Sequence, residues 1–185
     1  MEIFFWKMKK LFCSIFMVCA ACAMMFSLQS CEDEIVANDL EGTWRGNLRM
    51  HMEYGGVEYT ATYSQISFDR SPMQFTSGRG YWLDYYGASY GWGRNYVANH
   101  THWSVKNGVI FITFDEEDYS VEIRNYYLDD GYFAGTLFDG YDTYSFRLYK
   151  IDDPDWDSYY YGYDYYTRGR DGSVATKPKR FLRKD

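Results

Sequence analysis

The side chains best equipped for chemistry here are four cysteines, three histidines and two acidic runs. Cys13, Cys19, Cys22 and Cys31 all lie at the N-terminal end. From Glu32 onward no thiol remains to form a disulfide, hold a metal or act as a nucleophile. His100 and His102 alternate, so on a strand they share a face and could bridge a metal. His51 is remote and no third ligand accompanies the pair, so a solvated pair is expected and no metal site is assigned. Asp115-Glu116-Glu117-Asp118 and the Asp152, Asp153, Asp155, Asp157 group are rich in oxygen, but calcium needs about six ligands around a shaped loop. Both runs read as soluble turns. No Ser/His/Asp order, nucleophile elbow, glycine-rich phosphate loop or paired-carboxylate motif stands out. Catalytic residues, cofactors and enzymatic activity are therefore not expected.

The elements around these residues follow from composition and pattern. The chain is acidic, with a net charge of −7; without residues 1–30 it carries 16 basic and 25 acidic residues, a net of −9. That balance argues against nucleic acid as a partner. Lys177, Lys179, Arg180, Arg183 and Lys184 cluster at the end and read as a solvated basic tail. Aromatic residues make up 22% of the chain, and tyrosine favours strands and contact surfaces.

Lys7, Lys9 and Lys10 precede an apolar stretch from Leu11 to Phe26, and Leu28-Gln29-Ser30-Cys31 follows it. The stretch is shorter than the roughly 20 residues of a membrane-spanning helix. This order resembles the signal peptide and lipobox of bacterial lipoproteins. The resemblance implies that residues 1–30 are a signal helix, that Cys31 carries a diacylglycerol thioether with palmitate-type acyl chains, and that the membrane is a partner through this lipid. Glu32-Asp33-Glu34 resembles the acidic export signal of lipoproteins from Bacteroidetes-type bacteria. It implies an outer-membrane protein displayed on the surface rather than facing the periplasm.

Residues 31–40 read as a tether. From Gly42-Thr43-Trp44 the sequence alternates: Trp44, Gly46, Leu48, Met50, Met52 and Tyr54 on one face, Arg45, Asn47, Arg49, His51 and Glu53 on the other. Gly55-Gly56 is a hairpin signal that sets Tyr54 opposite Val57, Met52 opposite Tyr59, Met50 opposite Ala61 and Leu48 opposite Tyr63. A loop at 69–72 sets Phe68 against Met73 and Ile66 against Phe75, with a bulge expected near Ser64-Gln65. Asn107-Gly108 sets Val105 against Ile110 and Trp103 against Ile112. The tip at Glu116-Glu117 sets Phe114 against Tyr119, Ile112 against Val121 and Ile110 against Ile123. A three-residue loop at Asp129-Asp130-Gly131 pairs Tyr127 with Phe133 and Ile123 with Leu137, and Asp139-Gly140 pairs Leu137 with Asp142 and Phe133 with Phe146. Between Gly78 and His100 one or two irregular strands with a long aromatic loop are expected. The mutually consistent faces predict an all-β antiparallel meander of about 8–9 strands over 41–151, closing into a barrel that hides its edges. Residues 152–185, Tyr-rich and then basic, are expected to be disordered or loosely packed against the barrel.

Gly42-Thr43-Trp44 also looks like the Gly-x-Trp opening of lipocalins. The stretch Trp103 to Ile110, together with Tyr126-Tyr127-Leu128, Phe133-Ala134-Gly135 and Phe146-Arg147-Leu148, resembles the lipocalin-like domains of Bacteroidetes lipoproteins. The resemblance implies a lipocalin-like barrel holding a small apolar or aromatic molecule, or a glycan. The inward Trp44, Met50, Met52, Tyr59, Tyr63, Phe133 and Phe146 would line that site. The alternative is a filled barrel acting as a structural or protein-interaction module at the cell surface through exposed aromatics at 81–92 and 159–166.

Overall fold

A computed structural model describes residues 31–87, 94–162 and 179–182. The signal segment, the aromatic residues Tyr90 and Trp92, Tyr163 to Tyr166, and the basic Lys177, Arg183 and Lys184 lie outside the described residues.

Helix α1 covers residues 31–40. It precedes β1 (Gly42–Gly46), β2 (Met50–Tyr54), β3 (Val57–Ser71), β4 (Gln74–Tyr86), β5 (Tyr96–Lys106), β6 (Val109–Phe114), β7 (Ser120–Leu128), β8 (Tyr132–Phe138), β9 (Thr143–Ile151) and β10 (Lys179–Leu182). Strands β3 to β9 form an antiparallel meander, and β1 pairs with both β3 and β9. Eight strands thereby close into a barrel, which leaves no open edge along that ring. Strands β2 and β10 extend from β3 as an outer pair.

The turn chemistry sets much of this register. Asn107 (φ 52°) and Gly108 (φ 70°) both adopt left-handed backbone, the requirement of a two-residue hairpin. They place Val105 opposite Ile110 and Trp103 opposite Ile112, as expected. Ile110 faces Ile123 and Ile112 faces Val121, and Tyr54 faces Val57 with Met52 opposite Tyr59. The Phe114 amide donates to the Tyr119 carbonyl across the β6–β7 tip (3.1 Å).

Elsewhere the register departs from expectation, each time at a local irregularity. The first strand is broken. The Asn47 side-chain oxygen accepts from the Arg49 amide (2.7 Å) and Arg49 sits at φ 47°, so residues 47–49 form a kink between β1 and β2. Gly46 then faces Ser64 while His51 faces Thr60, and Leu48 does not pair with Tyr63. The β3 bulge lies between Ala61 and Tyr63, earlier than expected. This turns Tyr63 outward, against Tyr85 (4.6 Å between ring centres) and under Arg45 (4.0 Å). The β3–β4 hairpin pairs Ser71 with Gln74 and Ile66 with Trp82, not Phe68 with Met73 or Ile66 with Phe75. Met73 is 88% exposed at its tip.

The strands expected to be irregular between Gly78 and His100 are parts of two long paired strands, β4 and β5, with Trp82 opposite Asn99 and Asp84 opposite Val97, while residues 88–93 of the expected aromatic loop lie outside the described residues. In β7 the left-handed Asn125 (φ 48°) creates a bulge, so Tyr127 faces Ala134 rather than Phe133 and points to solvent. The same bulge drives Tyr126 toward β8, where a Cβ on Gly135 would lie 2.8 Å from that of Tyr126; only glycine fits. The β8–β9 loop holds four residues, Asp139 accepting from the amides of Tyr141 (3.0 Å) and Asp142 (2.8 Å). Phe138 faces Thr143 and Leu137 faces Tyr144, a two-residue shift that keeps every face.

The expected tether is the helix α1. Ala37 and Leu40 are fully buried against the barrel. Asp33 accepts from the amides of Asn107 and Gly108 (both 2.9 Å), and the Trp44 indole donates to the Leu40 carbonyl (2.7 Å). The helix is thus pinned at two points over the end that carries the β5–β6 turn. Of the tail expected to be disordered or loosely packed, the described residues 152–162 and 179–182 lie against the barrel. The former run along the outside of β4 and β5, with the Gly162 amide donating to Ala98 (2.8 Å); the latter form β10.

Candidate functional site

The helix half of the interior is filled by aromatic rings. Trp44, Phe68 and Phe133 are fully buried, and Phe133 meets Trp44 edge-on at 5.6 Å and Phe146 at 5.1 Å. Phe68 packs edge-on against Trp103 at 5.6 Å. Each such side chain contributes about 1.5–3 kcal/mol on burial, and the edge-on geometry adds to it.

The far half, toward the β6–β7 tip, is polar inside. Alternation along β4 brings Asp84 to the same face as Trp82, so a carboxylate enters the core. Asp84 is 0% exposed. Its Oδ1 accepts from Ser64 Oγ on β3 (2.5 Å) and from the Trp82 indole (2.9 Å). Its Oδ2 lies 3.1 Å from Arg180 Nη1. The same guanidinium donates through Nη2 to Asn99 Oδ1 on β5 (2.6 Å) and lies 3.2 Å from Glu117 Oε1 at the β6–β7 tip. It also sits over the Phe114 ring at 4.6 Å. Three strands, the β6–β7 tip and the C-terminal segment therefore converge on one buried cation. Next to it, burial raises the Tyr119 hydroxyl above the usual tyrosine range. Asp139, Asp84 and Glu117 push the same way, and Arg180 pulls against them.

A second assembly lies outside. Tyr81 stacks on Trp156 (4.9 Å, 16° between planes) and meets Tyr161 at 5.4 Å, and His100 meets Tyr161 at 4.0 Å. Tyr85 hydrogen-bonds Tyr159 through the two hydroxyls (3.0 Å), and Tyr96 meets Tyr159 edge-on. Burial raises the Tyr85 and Tyr161 hydroxyls, helped by neighbouring tyrosines. His100 and His102 share this outer face, as expected, but each pairs with its own acid: His100 with Glu116, and His102 with Asp115 at 2.6 Å. Among the described residues no group of three or more His, Cys, Asp or Glu could hold a metal.

Of the seven residues read as lining a cup, Trp44, Met50, Met52, Phe133 and Phe146 are buried members of one core. Tyr59 packs against that core while half-buried, and Tyr63 lies on the outer face. Cys31 is exposed at the start of α1. The buried cation was missed. Arg180 reads as solvated tail and Glu117 as soluble turn, yet their side chains are 0% and 8% exposed. The available signal was parity: Trp82 with Asp84, and Arg180 with Leu182, occupy alternate positions of extended segments.

The fold and this buried charge cluster define an eight-stranded closed antiparallel β-barrel with a helical cap at one end and an internal ion cluster at the other. No family model, curated protein or solved structure matches the chain. Among the described residues no helix is long and apolar enough to cross a membrane.

Proposed function

We propose that this is a cell-envelope lipoprotein, anchored in the outer membrane through lipid on Cys31 and displayed at the surface, whose filled barrel serves as a protein-interaction module. The observation that carries this reading is the interior. The Phe133 ring packs edge-on against both Trp44 and Phe146 where a lipocalin-like cup would need space. Close-packed side chains of this kind leave little room for a ligand without rearrangement. The contact surface is the aromatic face of β4, β5 and residues 156–161, since aromatics at a surface favour partner binding.

The test is native mass spectrometry of the mature protein purified from its own membrane. The expected mass is that of residues 31–185 plus acyl chains on Cys31. A stoichiometric small molecule that co-purifies would restore the small-molecule or glycan cup in place of the interaction module. A Cys31→Ser variant is expected to leave the membrane fraction, and its retention there would remove the lipid anchor from the reading.

A further inference from the structure

The groups that hold the buried cation belong to the barrel, whereas the cation does not. Ser64, Asp84 and Asn99 stand on β3, β4 and β5, and Glu117 on the β6–β7 tip, all within the continuous meander. Arg180 arrives on β10, which is joined to the sheet along one edge, through four residue pairs with β2. Two carboxylates, Asp84 and Glu117, surround this one guanidinium, so the barrel alone presents an anionic, hydrogen-bonding chamber of guanidinium shape.

The remaining side chains of β10 follow the same logic. Arg180 and Leu182 alternate inward and are 4% and 3% exposed, while Phe181 lies outside against His51 at 5.6 Å. The register sets Lys179 opposite Glu53 and Arg180 opposite Met52. A groove of about 890 Å³ flanks this strand, and its lining includes Glu53, Glu116, Asp118, Asp139 and Asp142. An acidic rim, an acidic chamber and an open strand edge together fit a basic extended peptide, held by backbone pairing and selected by alternate side chains.

We infer that this end of the barrel is a receptor for an arginine-bearing peptide strand of the pattern Arg-x-aliphatic, and that residues 179–182 are its resident intramolecular occupant, replaced by an equivalent strand of a partner protein. The inference rests on the interaction-module reading and adds to its aromatic face a second contact site, at β10, with the partner's chemistry named. A tethered occupant competes at an effective concentration of order millimolar. Disabling it must therefore strengthen binding in trans.

The experiment uses the full chain and a fluorescent synthetic peptide with the sequence of residues 177–185, with a second peptide carrying alanine at the position of Arg180 and keeping Arg183. Fluorescence anisotropy should show the Arg180→Ala protein binding the arginine peptide at least tenfold more tightly than the wild-type protein does. It should also bind it at least tenfold more tightly than the alanine peptide. Adding Asp84→Asn should abolish the preference. Ethylguanidinium at millimolar concentration should raise the melting temperature of Arg180→Ala and leave the wild type unchanged. Should Arg180→Ala fail to fold, Arg180→Lys carries the same peptide comparison, because the ammonium keeps the charge but not the fork. Equal affinity for both peptides, or a preference untouched by Asp84→Asn, overturns the proposal as general acidic attraction. No binding to either variant also overturns it. Neither result touches the filled-barrel reading, which the mass of the purified protein decides.

Discussion

Replacing Arg180 by methionine tests whether the C-terminal strand is part of the fold. Methionine keeps the apolar stem and removes the charge. Arg180 Nη1 and Asp84 Oδ2 are 3.1 Å apart with both side chains 0% exposed. At an effective dielectric of about 20, that attraction alone is about 5 kcal/mol. Desolvation of both ions offsets much of it, but loss of one partner strands Asp84 with only its Ser64 and Trp82 bonds. The expected cost is about 3–5 kcal/mol, a large share of a domain's stability of about 5–15 kcal/mol. Asp84→Asn should cost a similar amount, because it removes the carboxylate that faces Arg180 Nη1 in the core. The double variant should cost less than the two singles together, by about 2 kcal/mol, since neither ion is then left behind. Urea unfolding followed by tryptophan fluorescence measures all three. Lys179→Ala, on the exposed face of the same strand, should change stability by less than about 0.5 kcal/mol. A cost below about 1 kcal/mol for Arg180→Met, or strict additivity with Asp84→Asn, would refute the buried ion pair.

Three other outcomes follow from single contacts. Gly80→Ala should destabilise by about 1–3 kcal/mol, because its Cβ would lie 1.9 Å from the Ser67 carbonyl on β3, whereas Gly131→Ala meets nothing within 4 Å and should be near neutral; thermal melting compares them. Asp33→Ala removes the acceptor of two amide bonds, so it should cost about 1–3 kcal/mol and accelerate hydrogen exchange at Asn107 and Gly108, and unchanged exchange there would separate the helix from the turn. Tyr85, Tyr119 and Tyr161 ionise at higher pH in the folded chain than in the unfolded chain, where tyrosine titrates near about 10. The folded state then holds more protons, so stability should be flat up to about pH 9 and fall above about pH 10. Tyr119→Phe should make that fall shallower in urea midpoints measured across the alkaline range; an identical slope would exclude Tyr119 from it.

The barrel was legible wherever a turn dictates its own geometry. Asn107-Gly108 has one good backbone solution, and the strands beside it pair as that solution requires. Legibility failed where a single residue leaves the ladder. Asn47 binding the Arg49 amide, the bulge before Tyr63 and left-handed Asn125 each shift a face by one position, and alternation alone does not reveal which residue drops out. The ion cluster was harder still. Asp84 and Arg180 are 96 positions apart in the sequence, and each looks like an ordinary surface residue until the barrel closes around both. Tyr59, Met50 and Met52 were correctly read as facing the core, but a strand pattern does not distinguish lining a hollow from filling one.

The two bonds from Asp33 to the β5–β6 turn have a geometric consequence for a chain tethered at Cys31. Only Glu32 separates Cys31 from that clamp, so an acyl chain on its sulfur, as proposed, would hold the barrel flush against the bilayer with no hinge between them. Strand β6 runs from the clamped turn to the tip bearing Glu117, and so the acidic rim would face away from the lipid, upright, toward whatever approaches the cell.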